Sequence, residues 1–160
     1  MQHKIITGLI FLVVIIVSGT GGFFGKISGN AFSASVTSSS QQEVNERLIK
    51  GFVTAANILN QKCPIMIDKD TRLDRATVGP GPRTVYHHTF PRFSSRELDK
   101  NSIIASLKPQ VKSNVCANQD MKKSLQYGGI YVYAYSSNDS IELGRIEIDR
   151  NDCGYPKISP

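Results

Sequence analysis

Residues 129–149, GIYVYAYSSNDSIELGRIEID, read as two strands and the turn between them. Ile130, Val132 and Ala134 alternate with Tyr131, Tyr133 and Tyr135, the period of a pleated strand, and Ser136 to Ser140 supply turn-forming residues. On the return strand Ile141 and Leu143 have one parity and Ile146 and Ile148 the other. A slip of one residue reverses every side chain, so a β-bulge at Gly144 is predicted, holding these residues on a common face. Ile130, Val132 and Ala134 are the more usual core residues. Tyr131, Tyr133 and Tyr135, with Tyr86 across the sheet, are therefore either core beneath a helix or an open contact surface, since tyrosine is enriched in binding patches.

Working back along the chain, the segments around Ile65 to Val78 and Arg83 to Phe90 are rich in β-branched and aromatic residues, and Gly79-Pro80-Gly81-Pro82 between them is a turn. This predicts a second hairpin. Along its later strand Val85, His87 and Thr89 share one face and Tyr86, His88 and Phe90 the other, so the adjacent histidines cannot both bind one metal as strand neighbours. Asp68-Lys69-Asp70-Thr71-Arg72-Leu73-Asp74-Arg75 is the densest charged stretch. Its aspartates lack the glycine and closing glutamate of an EF-hand and have Lys69, Arg72 and Arg75 to neutralise them, so a salt-bridged strand edge is predicted, with Asp68, Asp70, Arg72 and Asp74 as surface candidates.

Helical periodicity fills the remainder. Ser40 and Glu43 have the spacing of a capping box, and Val44, Leu48, Phe52 with Ala55, and Leu59 make an apolar stripe from about Gln41 to Gln61, ended by Pro64. Ile103, Ile104, Leu107, Val111 and Val115 mark a helix from about Asn101 to Cys116, with Pro109 predicting a kink or two short helices meeting there. Asn118 is placed to cap a short helix, Gln119 to Tyr127, that Gly128 ends. Helix, two strands, two helices, two strands predicts an α+β domain over residues 41–160, most simply a four-stranded antiparallel sheet with helices on one face.

Ahead of this domain, Ile5 to Gly25 holds no charge between Lys4 and Lys26. At ~1.5 Å per helical residue it is long enough to cross a bilayer core of about 30 Å. Phe23, Phe24 and Lys26 resemble the interfacial end of such a span. Residues 1–25 read as a retained transmembrane anchor, with cleavage at Val17-Ser18-Gly19 as the alternative. Residues 26–40 are serine-rich and read as a flexible tether. The predicted location is a single-pass membrane protein with its carboxyl-terminal domain outside the cytoplasm, on the periplasmic side of the inner membrane.

Of the whole-chain formal charge of +6, residues 41–160 carry +4, from seventeen Lys and Arg against thirteen acids. These charges are interspersed and not interleaved with aromatics, which argues against nucleic acid, while an anionic membrane surface or acidic polymer stays open. Three cysteines outside the cytoplasm suggest one disulfide and an odd thiol. A Cys116–Cys153 bridge would pin the last hairpin to the helical layer and leave Cys63 as a small apolar residue. The cysteine spacing matches no zinc pattern, no catalytic motif occurs, and no cofactor is implied.

The segments CPIMIDKDTRLDRATVGPG (63–81), LKPQVKSNVCANQDMKKSL (107–125) and GGIYVYAY (128–135) resemble a family of small bacterial membrane-anchored or exported proteins of unknown function. The resemblance implies the anchor and the Cys116–Cys153 pairing and carries over no activity. The resulting expectation is a membrane-tethered extracytoplasmic module that binds a protein or envelope component. Two other classes compete with it: an envelope hydrolase using His87 or His88 with Asp68 or Asp70, and a structural subunit assembling through Gly21 and Gly25 of the anchor.

Overall fold

The computed structural model describes residues 40–158. Three helices and five strands follow in the order α1 (Gln41–Asn60), β1 (Ile65–Met66), β2 (Arg72–Val78), β3 (Arg83–Phe90), α2 (Lys100–Ala117), α3 (Gln119–Gln126), β4 (Ile130–Ser137) and β5 (Glu142–Ile148). The domain is α+β, as expected, but the sheet has five strands in the order β1-β2-β3-β4-β5 and is mixed: β3 and β4 pair in parallel. The four-stranded antiparallel sheet is thus corrected at two points. A crossover through two helices returns the chain to the end of the sheet where β3 began, so β4 must run alongside β3 in the same direction. In addition, the expected strand from Ile65 to Val78 folds back on itself. The Asp70 N–H donates to Asp68 Oδ1 at 2.7 Å, the Ile67 N–H donates to the Thr71 carbonyl at 2.8 Å, and β1 pairs antiparallel with β2.

The helix ends follow from local chemistry. Ser40 Oγ accepts from the Glu43 N–H, and Asn118 Oδ1 accepts from the Asp120 and Met121 N–H groups at 2.8 and 3.2 Å. Gly128 closes α3 at φ +99°, a conformation open to glycine without strain. One helix runs through Pro109 rather than two meeting there.

All three helices pack on the tyrosine face. Phe52 of α1, Val111 and Val115 of α2 and Leu125 of α3 join Tyr131, Tyr133, Tyr135, Phe90, Leu143, Ile146 and Ile148 in one buried cluster. The register shift opposite Tyr135 and Ser136 is the predicted bulge, and it turns Leu143 inward with Ile146 and Ile148; Ile141 falls outside β5 and is exposed. Gly144 lies so close to α2 that a Cβ there would meet Ile104 Cγ1 at 2.7 Å. A disulfide joins Cys116 to Cys153 with Cα atoms 5.2 Å apart, and the Tyr155 hydroxyl donates to the Cys116 carbonyl. The strand β2 has a partner in β1 only near Leu73 and Arg72. Beyond it, Asn60 of α1 stands in for a strand, its Nδ2 donating to the Ala76 carbonyl at 2.9 Å and its Oδ1 accepting from the Ala76 N–H at 2.7 Å.

Among the described residues no helix is long and apolar enough to cross a membrane. The anchor at Ile5 to Gly25, its Gly21 and Gly25, and most of the tether lie outside the described residues.

Candidate interaction surface

The tyrosine surface is closed. Tyr131, Tyr133 and Tyr135 are 1, 6 and 1% exposed, and Tyr86 packs against the same cluster with its ring 5.2 Å from Tyr133 and 6.5 Å from Tyr131. The physical reason is area: a tyrosine ring offers the helices more apolar surface than Val132 or Ala134, and only the hydroxyl then needs a partner. Tyr131 finds one in Ser124 Oγ at 2.7 Å; the Tyr135 hydroxyl is buried without one.

His88 lies in the same layer, between Tyr133 and Tyr135 at ring distances of 5.8 and 5.1 Å. Its Nδ1 is buried and unpartnered, and burial pushes its pKa down to about 4 against small upward pulls from the Tyr86 and Ala134 backbone and from Asp74. It is therefore a neutral core residue. Asp70 is also buried, held at 3.3 Å by Arg92 and at 3.4 Å by Lys69. No hydrogen bond among the described residues joins either histidine to Asp68 or Asp70, so the hydrolase pairing is not assembled in this conformation.

The other face of the sheet has no described helix over it. Its register sets Thr77 beside Val85 and Arg75 beside His87. Further across, Val85 pairs with Val132 and His87 with Ala134, and these in turn with Glu147 and Arg145. The result is an apolar strip of Val85, Val132 and Ala134, itself buried at 2 to 5% exposure, between two charged margins. Each margin is internally paired. Arg145 grips Glu142 through two 2.9 Å hydrogen bonds, Arg83 meets Glu147 at 3.1 Å, and Asp74 accepts from Arg72 and, at 2.6 Å, from Thr89.

The second register shift, between Leu73 and Arg75, inserts Asp74 and lets Arg72, Asp74 and Arg75 all serve this face. Of the sequence-derived surface candidates, Arg72 and Asp74 are therefore brought together here, while Asp68 and Asp70 belong to the β1–β2 turn. At the centre sits His87, bonded through Nε2 to Thr77 Oγ1 at 2.8 Å. Burial, then Arg75 and Arg145, push its pKa down, against Glu142 and Asp74, which leaves it neutral at physiological pH.

Such a face can bind through hydrogen bonds and exposed Arg75. It offers no metal set: among the described residues no three His, Cys, Asp or Glu side chains are grouped to hold an ion. Cys63 is a half-buried free thiol whose pKa burial and Asp74 push up, which disfavours the reactive thiolate.

Three solved structures share this fold. One is a protein of Pseudomonas aeruginosa described as a candidate secreted protein, 20% identical, with a TM-score of 0.60 over 72% of this chain and 98% of that one. The pilotin EpsS of the Vibrio vulnificus type 2 secretion system is 12% identical, with a TM-score of 0.57 over 70% of this chain and 96% of its own. The type II secretion system pilotin AspS of Vibrio cholerae is 16% identical, with a TM-score of 0.55 over 72% of this chain and all of its own. At these identities the likeness is one of fold. No curated protein matches the chain in sequence. Residues 50–143, more than half of the chain, match the model of the domain of unknown function DUF8479, and the protein belongs to that family.

Proposed function

We propose that the protein is a non-catalytic binding module working outside the cytoplasm, tethered at the membrane by Ile5 to Gly25, and that it engages a protein of a secretion apparatus through the sheet face centred on His87. The observation that carries this reading is a fold shared end to end with two pilotins, at 96 and 100% of their chains. The Cys116–Cys153 disulfide suits an oxidising compartment. The face with Arg75, Thr77 and His87 is the stretch of sheet that the described helices leave free, and it presents exposed Arg75 and Thr77 with half-buried His87 as hydrogen-bonding groups above a buried apolar strip.

The test is export. Proteins released to the medium by the home organism should fall in amount when the gene is deleted. They should return with the wild-type gene, and not with an Arg75→Glu/Thr77→Arg variant that folds normally. An unchanged set of exported proteins in the deletion strain contradicts the secretion role.

A further inference from the structure

The charge of the folded domain is not spread evenly. Residues 100–126, which make α2 and α3, hold five lysines (100, 108, 112, 122 and 123) and one acid, Asp120. The rest of residues 41–160 carries twelve basic and twelve acidic side chains, so the whole +4 of the domain resides in this helical layer. Four of the eight arginines, all of which lie elsewhere, are spent on carboxylates: Arg72 on Asp74, Arg83 on Glu147, Arg92 on Asp70 and Arg145 on Glu142. None of the five lysines takes part in an ion pair among the described residues. Lys122 lies over the Tyr155 ring at 5.2 Å, and Lys100 is near enough to Glu142 to help lower its pKa. Lys108, Lys112 and Lys123 are exposed and uncommitted, and Lys108 and Lys112, four residues apart, share one flank of α2.

We infer that the α2–α3 layer is a docking face for an anionic lipid surface. Three features favour lipid over an acidic protein. The charges are all lysine, a point charge suited to diffuse attraction, with none of the arginine forks that read a carboxylate by geometry. The exposed residues between them on α2 are Asn101, Ser102, Ala105, Ser106, Pro109, Ser113 and Ala117, and the exposed large apolar side chains, Val53, Met66 and Ile141, lie on other elements. A protein contact needs a buried aromatic, aliphatic or arginine anchor, and this face presents none. The lipid contact is separate from the sheet face of the proposed function and stands without it.

The experiment uses the full-length chain with vesicles of phosphatidylcholine, alone or mixed with phosphatidylglycerol, and reads the acylation rate of each lysine by mass spectrometry. The expected result is slowing at Lys108, Lys112 and Lys123 in the anionic vesicles alone, reversed by high salt, with Lys50 and Lys62 unaffected. About 1 kcal/mol per lysine at such a surface corresponds to about fivefold. The Lys108→Gln/Lys112→Gln variant should therefore lower the docked-to-undocked ratio about 25-fold and restore labelling of Lys123. Labelling that is equal in the two vesicle types, or slowed at every lysine alike, overturns the proposal. So does slowing seen in the native envelope but not with lipid, which would assign the face to an acidic protein.

Discussion

Lowering the pH from 7.5 to 4.5 should weaken the fold by way of His88. The imidazole is 4% exposed, stacked between Tyr133 and Tyr135, with Nδ1 unpartnered, and its burial lowers the pKa from 6.5 to about 4. An unfolded chain takes up the proton near pH 6.5, whereas the folded chain resists until about pH 4. Nothing is lost above 6.5, stability falls as pH drops through the interval, and this group adds no further loss below it. The full interval is worth about 3 kcal/mol, most of which is gone by pH 4.5.

Carboxylates titrate nearby, so the reading is a difference. His88→Phe keeps a ring in the stack and removes the base, while His87 titrates equally in both proteins. Urea unfolding followed by circular dichroism at the two pH values should show the wild type losing about 2 to 3 kcal/mol more than His88→Phe. Equal losses would mean that His88 is charged or solvated in the folded state, and the stack as described would be refuted.

The two phenols make a matched pair: Tyr131→Phe, which strips the bond to Ser124, should cost about 1 kcal/mol, whereas Tyr135→Phe, which removes an unpartnered buried hydroxyl, should cost nothing or stabilise in the same urea assay. Replacing Cys116 and Cys153 by serine opens a loop between residues 37 apart and should remove about 4 kcal/mol, read as the shift between oxidised and reduced unfolding curves that the double variant lacks. Gly144→Ala drives a methyl into Ile104 and should cost about 1 to 3 kcal/mol, and in thermal melts the same change should cost less in an Ile104→Ala background, where Cγ1 and Cδ1 are gone.

Much of the fold was legible locally because local chemistry wrote it. The capping residues Ser40 and Asn118, the stripes of α1 and α2, the terminating Gly128 and the bulge by Gly144 all concern neighbours in sequence. The parallel pairing of β3 with β4 concerns residues some fifty apart and depends on where a two-helix crossover lands, which no window of periodicity contains. The tyrosine face was ambiguous for a different reason, since Ile, Val and Ala outrank tyrosine on hydropathy but present less area. A signal existed in β5: Arg145 and Glu147 must face solvent, their partners are Ala134 and Val132, and Ile146 and Ile148 are thereby set beside the tyrosines. The turn at Asp68 to Asp70 hid in a stretch that reads as strand because β1 is only two residues long. The face around His87 was split across β2 to β5, so single-strand parity put His87 and His88 on opposite faces but could not bring Arg75, Asp74 and Arg145 to His87.

If the sheet face around His87 meets a protein partner, contacts should form there and not on the helical side. A photo-crosslinking amino acid placed at Thr77 on that face, and separately at Val53 on α1, in the full-length protein within its own cells tests this most directly. A discrete protein adduct is expected from position 77, removed by Arg75→Glu, and none from position 53. An adduct from 53 alone, or no protein adduct from 77, would contradict it.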